Sequence, residues 1–169
     1  TADINGGTID GVTSFNGTVI ITSATNNLGI GVDVLNTIGT GDYNVAFGDR
    51  ALYDLDTGIN NTAIGYNAAQ NTEADDNTVV GYQALNGNIS GDANVAVGTD
   101  SLGLCSTGEF NVALGTGALY NTTGSNNTAI GRQAGLNITS GSNNICIGED
   151  CRVTTATASN QLNIGDTIY

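Results

Sequence analysis

The chain has 169 residues, with 25 glycines, 16 acids, three arginines and no lysine or histidine, for a net charge of −13. Three scattered cations, Arg50, Arg132 and Arg152, cannot hold a phosphate backbone, which argues against nucleic acid and against an anionic membrane surface. Charged residues are only 11%, against about 25% in an ordinary soluble domain, and Asn, Thr, Ser and Gly take their place, which shifts the expectation to an all-β fold.

The first 26 residues read as an N-terminal connecting segment, and 27–169 as a repeat region of about nine coils. The chain begins at Thr1 rather than Met, and it is expected to be a piece of a longer protein. No apolar run approaches the roughly 18 residues of a membrane span. The repeat opens with Asn27-Leu-Gly-Ile-Gly31 and continues with Asn44-Val-Ala-Phe-Gly48 and Asn61-Thr-Ala-Ile-Gly65. Related units start at Asn77, Asn94, Asn111, Asn127 and Asn144, and Gln161-Leu-Asn-Ile-Gly165 closes the series. Their final glycines are 16 or 17 residues apart throughout, a fixed period of the kind that marks a repeat architecture. After the glycine comes x-x-Ala-Leu, as at Ala51-Leu52, Ala84-Leu85 and Ala118-Leu119, with Ser101-Leu102 and looser versions at Ala68-Ala69 and Ala134-Gly135. Before the next Asn comes a glycine turn, as at Gly41, Gly58 and Gly91, with Ala74 standing in once. One unit therefore predicts a strand, a glycine corner, a second short strand and a polar turn. Such a unit makes one coil of a β-solenoid, and eight intervals of about 4.8 Å give a rod of about 40 Å.

Other solenoids fail on spacing. A hexapeptide helix needs an apolar residue every six positions, yet Gln70 follows Ile64 and Gly103 follows Val97 at that distance. The calcium-binding G-G-x-G-x-D pattern is absent. An ice-binding face needs an unbroken Thr column, and Thr62 and Thr78 give way to Val95 and Val112.

Alternate strand residues face opposite ways. The Asn, Ala and Gly columns share a small face suited to the interior of a thin roll. On the other face lie Phe47, Ile64, Val80, Val97, Leu114, Ile130 and Ile147. An apolar stripe of that length exceeds what a soluble monomer ordinarily exposes. Cyclic self-association around an axis parallel to the rod would cover it, and three thin wedges make the natural closure, so a homotrimer is expected.

The unit N-[TV]-A-[IVLF]-G-x-x-A-[LA] resembles the repeat of trimeric autotransporter adhesin heads, although the repeat here is longer. That resemblance implies a left-handed parallel β-roll that trimerises. The segment Ala2-Asp-Ile-Asn-Gly-Gly-Thr-Ile-Asp-Gly-Val-Thr13 resembles one found in bacteriophage tail fibres. Ser159-Asn-Gln-Leu-Asn-Ile-Gly-Asp-Thr-Ile-Tyr169 is similar to the stretch preceding a self-cleaving chaperone in such fibres. Together they imply a viral structural protein, a tail-fibre segment at the virion surface, forming a rigid trimeric rod that contributes to host attachment. Its partners would be other fibre domains or virion proteins at either end and a host surface glycan or protein. The alternatives are the head of a bacterial trimeric adhesin at the cell surface and a glycan-cleaving tailspike. The tailspike needs two carboxylates at catalytic separation, one with a raised pKa. The acids here sit in or beside turns, so no enzyme activity, cofactor, metal or catalytic residue is expected.

Several columns are candidate sites. Asn44, Asn61, Asn77, Asn94, Asn111, Asn127 and Asn144 are expected to form a structural amide ladder rather than a binding surface. Asp75, Asp92 and Glu109, with Asp42 further up, recur at one turn position. A hard cation such as Ca²⁺ would bridge such a row, but solvated turn acids are the favoured reading. Cys146 and Cys151 occupy Ala columns across one glycine corner. They are expected as small buried thiols in place of Ala rather than as a disulfide, with Cys105 unpaired in a turn. Tyr43, Tyr53, Phe110 and Tyr120 at turns, and Tyr66 and Tyr82 at corners, either stack on sugar rings of a glycan or cover adjacent coils.

Overall fold

The computed structural model describes residues 13–15, 18–22, 26–165 and 167–168, with side chains for 26–165. Most of the N-terminal fibre-like segment lies outside the described residues. Among the described residues twelve strands form one sheet in chain order. They are β1 (Thr13–Phe15), β2 (Thr18–Thr22), β3 (Leu28–Gly31), β4 (Val45–Phe47), β5 (Thr62–Ile64) and β6 (Thr78–Val80). The others are β7 (Val95–Val97), β8 (Val112–Leu114), β9 (Thr128–Ile130), β10 (Ile145–Ile147), β11 (Leu162–Ile164) and β12 (Thr167–Ile168). From β3 to β11 the strands are parallel and in register, so that Ala46 faces Ala63 and Ala96 faces Ala113. These nine strands bound about eight turns of a β-solenoid, and no helix occurs among the described residues. Among the described residues the parallel strands are flanked by antiparallel pairs, β1 with β2 and β2 with β3 on one side and β11 with β12 on the other.

Each coil contains one strand, not the two expected. The x-x-Ala-Leu leg is a succession of turns in which the second x and the Leu adopt left-handed dihedrals, as at Arg50 (φ 57) and Leu52 (φ 49), or Gln83 (φ 53) and Leu85 (φ 49). The reason is that Ala51 and Leu52, Ala84 and Leu85, and Ala118 and Leu119 are all wholly buried. A strand would send one of each pair outward, and a roll with a single interior needs a bend between them. A left-handed L-residue costs about 1–2 kcal/mol. Full burial of a Leu contributes about 1.5–3 kcal/mol, so burial wins. The bend keeps its backbone bonded to the next coil, with Leu52 N–H donating to Ala68 O (3.1 Å) and Leu102 N–H to Ala118 O (2.9 Å).

Differences in coil length are absorbed in the polar turn. The two 16-residue coils carry Thr72 and Thr122 there, and each hydroxyl accepts the backbone N–H two residues on, from Ala74 and Gly124 (3.3 Å each). In a 17-residue coil Asn88 closes the wider turn instead, accepting from Gly91 N–H at 2.8 Å.

The corner glycines have φ between +130 and +154 from Gly31 to Gly148, a region that L side chains rarely occupy. Space excludes a side chain as well. A Cβ on Gly98 would lie 2.6 Å from the carbonyl carbon of Gly115 in the next coil. Gly98→Val should therefore lower stability by several kcal/mol, since strain and a backbone clash coincide, and a thermal melt matching the parent would exclude this account of the corner.

Candidate functional site

The Asn column is internal. Asn44, Asn77, Asn94, Asn111, Asn127 and Asn144 have no exposed surface and Asn61 has 1%. Each Oδ1 accepts the backbone N–H of the next member, as from Asn111 N to Asn94 Oδ1 (2.9 Å) and from Asn127 N to Asn111 Oδ1 (2.9 Å). The amide nitrogen donates to a turn carbonyl one coil on, as from Asn94 to Gly108 O (2.9 Å) and from Asn111 to Gly124 O (3.0 Å), except at Asn77, which donates to Asp75 O of its own turn (3.0 Å). The ladder therefore runs chiefly through the backbone rather than from amide to amide. Every polar atom of a typical member is used, and none is left for a ligand.

The acidic turn column has a comparable internal duty. Asp75 Oδ1 accepts Ile59 N–H (2.8 Å), and Asp92 Oδ1 accepts Asp75 N–H (2.9 Å). Further on, Ser142 Oγ accepts Ser125 N–H (3.1 Å) and Ser159 Oγ accepts Ser142 N–H (3.0 Å) at the same position. A serine hydroxyl does what the carboxylate does, so the position calls for an oxygen acceptor rather than a charge. No group of three or more His, Cys, Asp or Glu able to hold a metal occurs among the described residues.

Cys146 and Cys151 form a disulfide with a Cα–Cα distance of 5.8 Å, which corrects the expectation of two thiols. Both side chains point inward from opposite sides of Gly148 in the same coil, and the pair bridges that interior. Cys105 is free and buried, and burial pushes its thiol up to about 11. Protonated at neutral pH, it is a poor nucleophile.

The aromatics fall into three separate columns. Tyr43 and Phe110 share the position just before the buried Asn, both left-handed (φ 57 and 56) and 61% and 56% exposed. Tyr66 and Tyr82, at successive corners, stack with centroids 5.5 Å apart and planes at 12°. Tyr53 and Tyr120 lie on the bend leg, where Arg50 sits 5.5 Å from the Tyr53 ring. Tyr66 and Tyr82 thus cover one another across adjacent coils, whereas the turn aromatics form no single cluster.

Sequence reasoning missed a recess of about 300 Å³ beside Tyr120. Its floor is Gly87 and Gly103, and Asn71, Gln83, Asn86, Asp100, Leu104 and Tyr120 surround it. The signal was a break in a column. The position held by Gly103 carries Tyr53, Gln70, Asn86 and Tyr120 in other coils. No protein-family model matches the chain, and neither does a curated protein or a solved structure.

Two outcomes follow for the buried columns. Asn94→Ala removes an acceptor and a donor whose partners stay buried, and should cost about 2–4 kcal/mol in denaturant titration. Replacing both Cys146 and Cys151 with Ala should leave the coil assembled, because Ala holds both columns elsewhere, and lower stability by no more than about 2 kcal/mol. Loss of the far-ultraviolet strand signal in that variant would contradict the second.

Proposed function

We propose that the chain is a segment of a homotrimeric surface fibre, a stiff non-catalytic rod, and that its owner is a bacteriophage or similar virus. The observation that carries this reading is the outer face of the parallel sheet. Phe47, Ile64, Val97 and Ile130 are 37%, 42%, 36% and 39% exposed in the single chain, with Val80, Leu114 and Ile147 partly covered in the same column. The neighbouring outward column adds Val45, Val95 and Val112. No charge interrupts either column from β4 to β10. Parallel strands are ordinarily covered on both faces, and here the interior of the roll covers only one. Two further copies about a common axis would cover the other.

The described acids support the same arrangement, because they lie at the turns and bends and leave the sheet face neutral. The chain's net charge of −13 keeps such rods apart in solution. The left-handed coil and the virion-surface location belong to this reading through the resemblances to adhesin heads and tail fibres. Attachment to a host would fall to the turns and bends, since loops on a rigid scaffold are where recognition concentrates.

Sedimentation equilibrium should give three times the 17.0 kDa chain mass, with Phe47→Asp reducing it to one; a stable parent monomer of 17.0 kDa would end the reading. Hydrolysis of a host polysaccharide by the purified chain would refute the non-catalytic part on its own.

A further inference from the structure

The recess on the bend leg is not a product of the repeat. Gly103 has no left-handed dihedral, nor has Gly87, so backbone conformation does not require a glycine at either position. What Gly103 supplies is room. A methyl group there would meet the Tyr120 ring at 2.5 Å (Cε2), so the absent side chain lets that ring lie across the gap as a wall. Gly87 adjoins it, with its N–H bonded to Gly103 O at 3.0 Å, and extends the bare floor into the next coil.

Asn71 donates to the backbone carbonyl (3.1 Å) and side-chain oxygen (3.2 Å) of Asn86, which fixes those two amides against each other. The Gln83 amide, the Asp100 carboxylate and the Tyr120 hydroxyl make no side-chain hydrogen bond within the described residues. Gln83 and Asp100 occupy the same position in successive coils, and both are left-handed (φ 53 and 55), so the coil stacking sets their separation. A tyrosine ring beside amides that both donate and accept, and a carboxylate that only accepts, matches a sugar ring. Its C–H face packs on an aromatic, and its hydroxyls serve as donors and acceptors together.

We propose that this recess binds one neutral hexose unit of a polysaccharide, with Tyr120 as the platform and Gln83, Asn86 and Asp100 holding the hydroxyls. The volume is at the lower end of ligand pockets, roughly 300–1,000 Å³, and suits one ring rather than a long oligomer. No cation lines the recess, and Asp100 repels anions, so sialic and uronic acids are excluded. Leu104 and Tyr120 alone give too little apolar surface for a lipid chain. The site lies within one chain, on the opposite side of the corner glycines from the sheet face. It rests on the fibre reading only for the source of the glycan, and there three copies would add by avidity.

The test is saturation-transfer NMR on the purified chain. Probes are the methyl glycosides of glucose, galactose and N-acetylglucosamine, with 3′-sialyllactose as the anion. At least one neutral glycoside should bind with a Kd of about 1 mM. Tyr120→Ala and Asp100→Asn should each weaken it by about tenfold, while Tyr43→Ala leaves it unchanged. Asp100→Asn guards against a folding defect, because Asn67 already holds that position in another coil. The proposal is overturned if no neutral glycoside binds, if both recess variants bind as the parent does, or if sialyllactose binds more tightly. Sedimentation of the same samples separates the two readings. A trimer without sugar binding ends this assignment alone, and a monomer that binds ends the fibre reading alone.

Discussion

Backbone hydrogen bonds between successive coils run along the strand, through the bend and into the polar turn. They hold each coil at the spacing of paired strands, about 4.8 Å. At that distance the backbone of one coil presses on the next, and every column becomes a constraint repeated along the rod. The corner must be glycine, because the next glycine's carbonyl group occupies the space a Cβ would take. The interior strand position is Ala in most coils, because little more fits between strand and bend. The Asn column satisfies carbonyls that the turns would otherwise bury unpaired, and an unpaired buried group costs about 1–3 kcal/mol.

Stacking of this kind overrides local preference. Left-handed non-glycine residues are uncommon in folded chains, yet three columns here adopt that conformation in coil after coil. Where the position is at the surface, Asn and Asp are frequent, as at Asn60, Asp76, Asn126 and Asn143, because their short side chains tolerate it best. Where it is buried, Leu takes it, and the apolar interior outweighs the dihedral cost. Charge follows the same division. Interior and sheet face carry none, and the acids gather at turns where a side-chain oxygen also accepts a neighbour's N–H.

Period, strand positions, corner glycines and the buried Asn column were legible because each is repeated many times and each has a residue type only one environment explains. The second leg was misread for a physical reason. An Ala-Leu pair looks extended when judged by apolar character, and the sign of φ leaves no mark on hydrophobicity. The mark lay one residue earlier, where Asp33, Asn67, Asp100, Gly117 and Asp150 are the types that accept left-handed backbone. Cys146 and Cys151 were placed in the correct columns, but whether two inward side chains of one coil meet depends on the thickness of the roll. The recess beside Tyr120 was hidden because it forms where Gly103 lets the Tyr120 ring come close, and only the register shows which neighbours line it. The aromatics, which drew attention in the sequence, proved to be spread over three columns.

The two antiparallel finishes of the sheet have a consequence for how copies of this chain can meet. A parallel in-register stack is in principle open to growth, since an exposed outer coil offers the next molecule's first coil the same pattern it offers its own neighbour. Among the described residues the outermost strands are β1 and β12, three and two residues long, and each runs against the direction of the strand it pairs with. Short borders of this sort are one way sheet proteins limit templating of their own polymerisation. The apolar face, by contrast, runs along all nine parallel strands, so the described residues offer far more surface side by side than end to end.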